Sequence, residues 1–193
     1  LTNDNKWTVL FGAANIDVRQ EKQISDLEQS LIAAADGTFV VSAVEKSWIS
    51  KRIKGASVSV IPLIHDEPLS SAAFTDRSGI LFIGSWNHPP NRDAIDFLVD
   101  EIMPLVWSKE PGIYLHLVGS DHPSDLAVTE QRIVCHGWVE STEELFNEVK
   151  LSVAPLRYGA GLKGKVAESF CRGVPVVGTS VAFEGFNIGE CEK

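Results

Sequence analysis

The sequence predicts an α/β fold, a parallel sheet with helices on both of its faces. Three observations predict it. From residue 80 onward, short apolar and β-branched runs alternate with segments of helical period. Glycine directly follows three of those runs, at Gly84, Gly119 and Gly137, and a glycine-rich turn follows a fourth. The composition, 44% apolar and 22% charged over 193 residues, is that of an ordinary globular chain with a sizeable core.

The elements follow in order. Residues 9–14 form a strand-like run. Residues 20–35 repeat Ile24, Leu27, Leu31, Ile32 and Ala35 at helical spacing, and Gly37 stops that helix. Residues 38–41 are a short apolar strand. Ser42 is a helix N-cap, and Glu45, three residues on, completes a capping box for a helix to Ile53. Residues 57–61 alternate and are β-branched, hence a strand. Residues 62–78 hold prolines and serines without a sustained period and are expected to be a linker.

A second series starts at Gly79. Residues 80–83 are a buried strand, and residues 85–91, with Pro89 and Pro90, a loop. Residues 92–107 are helical, with Ile95, Leu98, Val99, Ile102, Leu105 and Val106 as the buried face. Pro104 is expected to kink this helix. Residues 113–118 and 133–136 are strands. A short helix over residues 142–149 is capped by Ser141, with Glu144 at its third position. Residues 151–156 form a strand, the glycine turn opens a helix near Gly161, and residues 174–177 form the last strand.

Charge narrows the function. The net charge of −9 and the pI near 5.0 argue against a nucleic-acid partner. Locally the balance inverts: Arg157, Lys163, Lys165 and Arg172 surround a single Glu168. No apolar run approaches the roughly 18 residues of a membrane span, and the opening LTNDNKW is not a signal peptide. The sequence does not begin with Met, so a piece of a longer protein is expected. Cys135, Cys171 and Cys191 are odd in number and widely spaced, which suits free thiols in a reducing compartment better than a metal site.

In a parallel sheet, ligands bind beyond the carboxyl ends of the strands. That rule selects Gly84 and Ser85, Gly119 to Asp121, Gly137 to Val139, and residues 157–164. Gly159, Gly161 and Gly164 spell G-x-G-x-x-G after a strand and before a helix, and with Val166 they also fit a kinase glycine loop. Both literal readings fail on position. Only 29 residues follow Gly164, which leaves no room for further βα units or a catalytic loop, and Gly178 stands where an acidic ribose partner belongs. The physical content survives. Small residues let a phosphate approach main-chain N–H groups at a helix start. Lys165, Glu168 and Arg172 share one helix face, opposite Leu162, Val166, Ser169, Phe170 and Gly173. Lys165 is near enough to neutralise a diphosphate, and Glu168, one turn deeper, can accept from a ribose diol.

Scattered candidates carry less. His65, His116 and His122 lack metal spacing. His136 ends a strand and suits structural pairing. Asn91 either caps the helix or touches ligand. Trp86 and Trp138 lie in strand-end loops, where packing or stacking are both open.

The stretches ILFIGSWNHPPNRDAIDFL, IYLHLVGS, VCHGWVESTEELF, LSVAPLRYGAGLKGKVAESF and GVPVVGTSVAFEG, in that order over residues 79–185, resemble the donor-binding domain of retaining nucleotide-sugar glycosyltransferases of group 1, with the GT-B fold. Residues 28–66 resemble the end of the family's N-terminal domain and its hinge. The resemblance implies two domains. Residues 1–66 are the remnant of the acceptor domain and the hinge. Residues 67–193 are a Rossmann-like donor domain, truncated before its final strand and returning helices.

The implied activity is sugar transfer from a nucleoside-diphosphate donor to a glycan or lipid-linked acceptor with retention, without a bound metal or cofactor. Basic groups and helix dipoles take the leaving diphosphate instead. The implied location is cytoplasmic, with peripheral membrane association supplied by regions outside this chain. Glu168 matches the family glutamate on the donor ribose. Gly159, Ala160, Gly161 and Lys165 match the phosphate and sugar positions, and Val139 the backbone at the base edge. Gly84 and Ser85 follow the first strand of the domain.

Two departures stand out. Ala160 replaces the first of two glutamates in many relatives, and Ser85 replaces an arginine. Arg157, Lys163 or Lys165 is expected to supply the missing charge, as in relatives with GxGxKxK turns. The catalytic base lies outside the matched stretches. Two other readings remain: a non-catalytic nucleotide-binding module, favoured by Ala160, and an epimerase or phosphorylase on the same fold.

Overall fold

The computed structural model describes residues 18–62, 66, 68–121 and 130–186. The expected strand at 9–14, and His65, His122 and Cys191, lie outside the described residues. The chain forms two compact units. The first holds the residues up to 64, Tyr158–Lys163 and the residues from 183 onward; the second holds His65–Arg157 and Gly164–Ala182.

In the first unit, helix α1 (Val18–Ala34) precedes strand β1 (Thr38–Val40), helix α2 (Ala43–Arg52) and strand β2 (Val58–Val60). β1 and β2 pair in parallel, Thr38 opposite Val58. The capping box is present. Ser42 Oγ accepts from the Glu45 amide at 3.1 Å, and Glu45 Oε2 accepts from the Ser42 amide at 3.2 Å. Ile32, Val40, Ile49, Ile53 and Val58 form the core, with Trp48 and Ala56 against it.

The second unit is a five-stranded sheet. Its strands are β3 (Ile80–Ile83), β4 (Leu115–Val118), β5 (Ile133–Gly137), β6 (Leu151–Ala154) and β7 (Val176–Gly178). They stand in the order β5-β4-β3-β6-β7, and every pairing is parallel. The order reverses between β3 and β6, which opens a crevice at their carboxyl ends. Strand alternation gives the sheet two buried faces. Leu81 and Val118 pack with Leu145, Phe146 and Val149 of helix α5 (Glu143–Glu148) and its exit. Phe82, Leu115 and Leu117, also fully buried, point the other way. Burying a ring such as Phe82 or Phe146 completely contributes about 1.5–3 kcal/mol.

Several expectations change. Residues 89–91 are helical: α3 runs Pro89–Phe97 after an extended His88. Its first positions need no N–H donor, so both prolines fit there. Pro104 is absorbed rather than kinked. A π-helical turn, Leu98–Ile102, separates α3 from α4 (Met103–Lys109), and the Met103 amide reaches back to the Leu98 carbonyl. The wider turn accommodates a residue that lacks an N–H and crowds the preceding turn. That adjustment rotates Leu105 outward to 70% exposure, off the expected buried face.

The expected linker is partly built in. Ser70 Oγ donates to Asn147 Oδ1 at 2.7 Å, and buried Arg77 donates to the Ala72 carbonyl. The cap of α5 is Thr142, one residue after Ser141. Helix α6 spans Gly164–Cys171 and begins three residues beyond Gly161.

Candidate functional site

The site is built where the sheet order reverses. The Gly84 amide donates to the Val118 carbonyl at 2.7 Å, and the Gly119 amide to the Gly137 carbonyl at 2.8 Å. The ends of β3, β4 and β5 are thereby laced together. A Cβ on Gly119 would lie 2.3 Å from the Gly84 carbonyl oxygen, so only glycine lets these backbones meet. Beyond them, Ser85 Oγ and Ser120 Oγ are 2.9 Å apart, and the Trp86 amide donates to the Ser120 carbonyl at 3.0 Å.

Asn91, in the first turn of α3, joins this strand end to α6. Its Nδ2 donates to the Ser85 carbonyl at 3.2 Å, which turns Oδ1 toward Lys165, whose Nζ donates to it at 2.8 Å. The same ammonium lies 4.2 Å from the centre of the Phe82 ring. A Cβ on Gly84 would meet Asn91 Cγ at 2.6 Å, so the amide also fills the space glycine leaves. Asn91 is thus neither the helix cap, which is His88, nor a loop residue. It fixes a lysine at the carboxyl end of β3.

The other cations are held differently. Arg157 donates through Nε and NH2 to both oxygens of Asp93, at 2.9 and 2.5 Å, beside the Phe97 ring. Lys163 Nζ folds back onto the Gly161 carbonyl at 2.5 Å. Gly159, Ala160, Gly161 and Lys163 belong to the first unit, and both glycines have positive φ, +127° and +75°. In the second unit, Gly84, Ser85 and Lys165 come together through Asn91.

Glu168 accepts a short hydrogen bond from the Thr142 hydroxyl and lies 3.5 Å from Arg172 Nε. The charged face of α6 is therefore no solvated stripe, since the Arg172 side chain is only 4% exposed. Phe170, expected on the buried face, is instead exposed. Val139 packs against the α5 core. Trp138 is largely exposed, and Trp86 lies 5.2 Å from the Arg92 guanidinium.

Sequence spacing missed one pair, because it forms only across adjacent strands. His116 Nδ1 and His136 Nε2 are 3.0 Å apart, with the rings stacked, and His116 Nε2 lies beside Gly79 at the amino end of β3. Burial pushes both imidazoles below their ordinary value. His136 lowers His116 further, and Glu148 opposes the shift on each. The unfolded chain then binds more protons than the fold just below pH 6.5. The pair's contribution to stability is complete above that pH and is lost as pH falls through the folded values. The wild type is therefore expected to lose urea resistance between pH 7.5 and 5 more steeply than a double variant, His116→Gln with His136→Gln. Parallel pH profiles for the two proteins would contradict this.

Among the described residues, no three His, Cys, Asp or Glu side chains converge as a metal site, and no helix is long and apolar enough to cross a membrane. Cys135 and Cys171 are free thiols, and burial pushes Cys135 up.

The family model described as Glycosyl transferases group 1 matches residues 77–190. The chain belongs to this family. No curated protein matches it in sequence. Among solved structures, this group 1 chain is similar to TarM of S. aureus, at 18% identity and a TM-score of 0.67, over 86% of this chain and 34% of TarM. It is similar to the pneumococcal O-GlcNAc transferase GtfA, at 13% identity and a TM-score of 0.64, over 81% of this chain and 32% of GtfA. It is also similar to Anabaena HepE, at 13% identity and a TM-score of 0.60, over 86% of this chain and 49% of HepE. These likenesses bear on the fold, the Rossmann-like parallel sheet of GT-B glycosyltransferases. The group 1 chain spans about a third to a half of the length of these structures.

Proposed function

We propose that the chain binds the donor for a glycosyltransferase, which moves a sugar from a nucleoside diphosphate to a glycan or lipid-linked acceptor with retention. Membership of group 1 supports transfer as the reaction class. The observation that carries the site is Lys165, held by Asn91 where the sheet order reverses. A cation fixed there meets a diphosphate without reorganising as the leaving group gains charge. TarM has been crystallised with UDP, α-GlcNAc-glycerol and fondaparinux, GtfA with UDP and GlcNAc, and HepE with UDP and glucose. A UDP-sugar is the donor class those complexes favour.

In this reading Lys165 takes the diphosphate, with the main chain at Gly84 and Ser85 beside it. Glu168 accepts from the ribose diol, and the backbone at Val139 meets the base. Arg157, Lys163 and the turn Gly159-Ala160-Gly161 border the donor sugar and phosphates. No metal or cofactor takes part. Residues 1–66 belong to the acceptor domain and hinge, and residues 67–193 to the donor domain. The enzyme works in the cytoplasm, at the membrane surface where its acceptor is lipid-linked. Ala160, in place of an acidic contact to the sugar, favours a second reading, a nucleotide-binding module without transfer.

Thermal unfolding with UDP, GDP and ADP tests the proposal. Selective stabilisation by one is expected; a ligand at 100 times its Kd adds about 2.7 kcal/mol, which is several degrees for a domain of this size. No shift with any of the three at millimolar concentration would sink donor binding. Binding without donor-sugar hydrolysis by the longer protein would favour the second reading.

A further inference from the structure

Glu168 is gripped by only one of its two oxygens. The Thr142 hydroxyl donates to Oε1, and Arg172 Nε approaches the same atom at 3.5 Å. Oε2 keeps its lone pairs for a ligand. Arg172 lies four residues on along α6 and is anchored in turn. Its side chain is 4% exposed, its guanidinium lies 5.3 Å from the centre of the fully buried Phe146 ring, and its carbonyl accepts from the Ser70 amide at 2.9 Å. An exposed pair at this spacing orients little. Here one partner is desolvated, and the carboxylate retains 19% exposure.

We propose that Arg172 and Thr142 are positioning residues, which lock Glu168 so that Oε2 faces a donor with two adjacent hydroxyls, the ribose diol. This rests on the reading of Glu168 given above. A glutamate side chain has three rotatable bonds, and freezing them before the ligand arrives removes an ordering cost from binding. Two clamps on one oxygen set both the rotamer and which oxygen is offered. Thr142 is suited to this because its hydroxyl makes no cap bond on α5.

Isothermal titration with UDP, GDP and ADP, each beside its 2′,3′-dideoxy analogue, tests the assignment. The wild type is expected to prefer the diol form of its nucleotide by roughly tenfold, the size of a hydrogen bond to a charged group. Thr142→Val and Arg172→Met should each remove most of that preference and leave the dideoxy affinity within about twofold, and Thr142→Ser should restore it. A merely structural role would lower both affinities together, which would overturn the proposal. If Arg172→Met fails to fold, Thr142→Val carries the test alone. A preserved preference in the variants would overturn the positioning role and leave Glu168 on the ribose. Equal affinity of the wild type for diol and dideoxy forms would remove the ribose reading, and this proposal with it.

Discussion

Lys165→Ala is expected to cost the chain most of its affinity for a nucleoside diphosphate. The ammonium is anchored 2.8 Å from Asn91 Oδ1 and sits over the Phe82 ring, so its position is set before any ligand arrives. Asn91 grips it through a neutral amide oxygen, whereas Arg157 faces the Asp93 carboxylate through two donors. A phosphate meeting Arg157 must compete with that carboxylate; one meeting Lys165 displaces an amide. Charged hydrogen bonds contribute about 1.5–3 kcal/mol, so removal of Lys165 should weaken binding roughly ten- to hundredfold. Arg157→Ala should cost clearly less. Asn91→Asp should weaken binding as well, because it places a carboxylate where the phosphate must compete. Calorimetric titration of the four proteins with the nucleotide that stabilises the wild type decides this. Equal affinities for wild type and Lys165→Ala would remove the lysine from the site, and a larger loss at Arg157 would move the diphosphate to β6. Raising salt should weaken wild-type binding more than that of Lys165→Ala, since screening acts on the charge the variant lacks.

The framework of this site was legible in the sequence, and its wiring was not. Strand β3 falls on residues 80–83 as expected, and the capping box at Ser42 and Glu45 is formed, because local patterning and short-range hydrogen bonds decide both. Glycines after three strands marked the carboxyl edge, because close backbone approach there excludes a Cβ. The side-chain partners are another matter. Asn91 and Lys165 are 74 residues apart, Arg157 and Asp93 64 apart, and Thr142 and Glu168 26 apart. Such pairs exist only once strand order is fixed, and no sequence period encodes them. Helical spacing put Lys165, Glu168 and Arg172 on one face, but it could not tell that the far end of that face is buried against Phe146. The prolines misled in a consistent way. Pro89 and Pro90 were expected in a loop because proline breaks helices, yet at the first two helical positions it starts one. Pro104 followed the same physics, with the preceding turn widened instead of broken.

Gly119→Ala is expected to be among the most destabilising single substitutions in the second unit. The added Cβ would sit 2.3 Å from the Gly84 carbonyl oxygen, 2.5 Å from its carbon and 2.9 Å from the Ser85 amide nitrogen. All three are main-chain atoms, so no side chain can rotate out of the way. The residue also has φ of +141°, where an L side chain is strained at a cost of about 1–2 kcal/mol. Relief by a change of φ would break the amide's bond to the Gly137 carbonyl; relief by translation would part β3 from β4 at the Gly84–Val118 bond. Overpacking adds about 1–3 kcal/mol, so a total near 2–5 kcal/mol is expected, a large part of the stability of an ordinary domain. Gly112→Ala is the contrasting case, since nothing lies within 4 Å of its Cβ and its φ is not in the positive range, and it should leave the urea midpoint almost unchanged. Gly161→Ala, unobstructed but at φ +75°, should fall between them. If Gly119→Ala and Gly112→Ala unfold at the same urea concentration, the contact between the strand ends is not as close as described. The geometry assigned to Ser85, Asn91 and Lys165 would then lose its footing, because all three take their places from that junction.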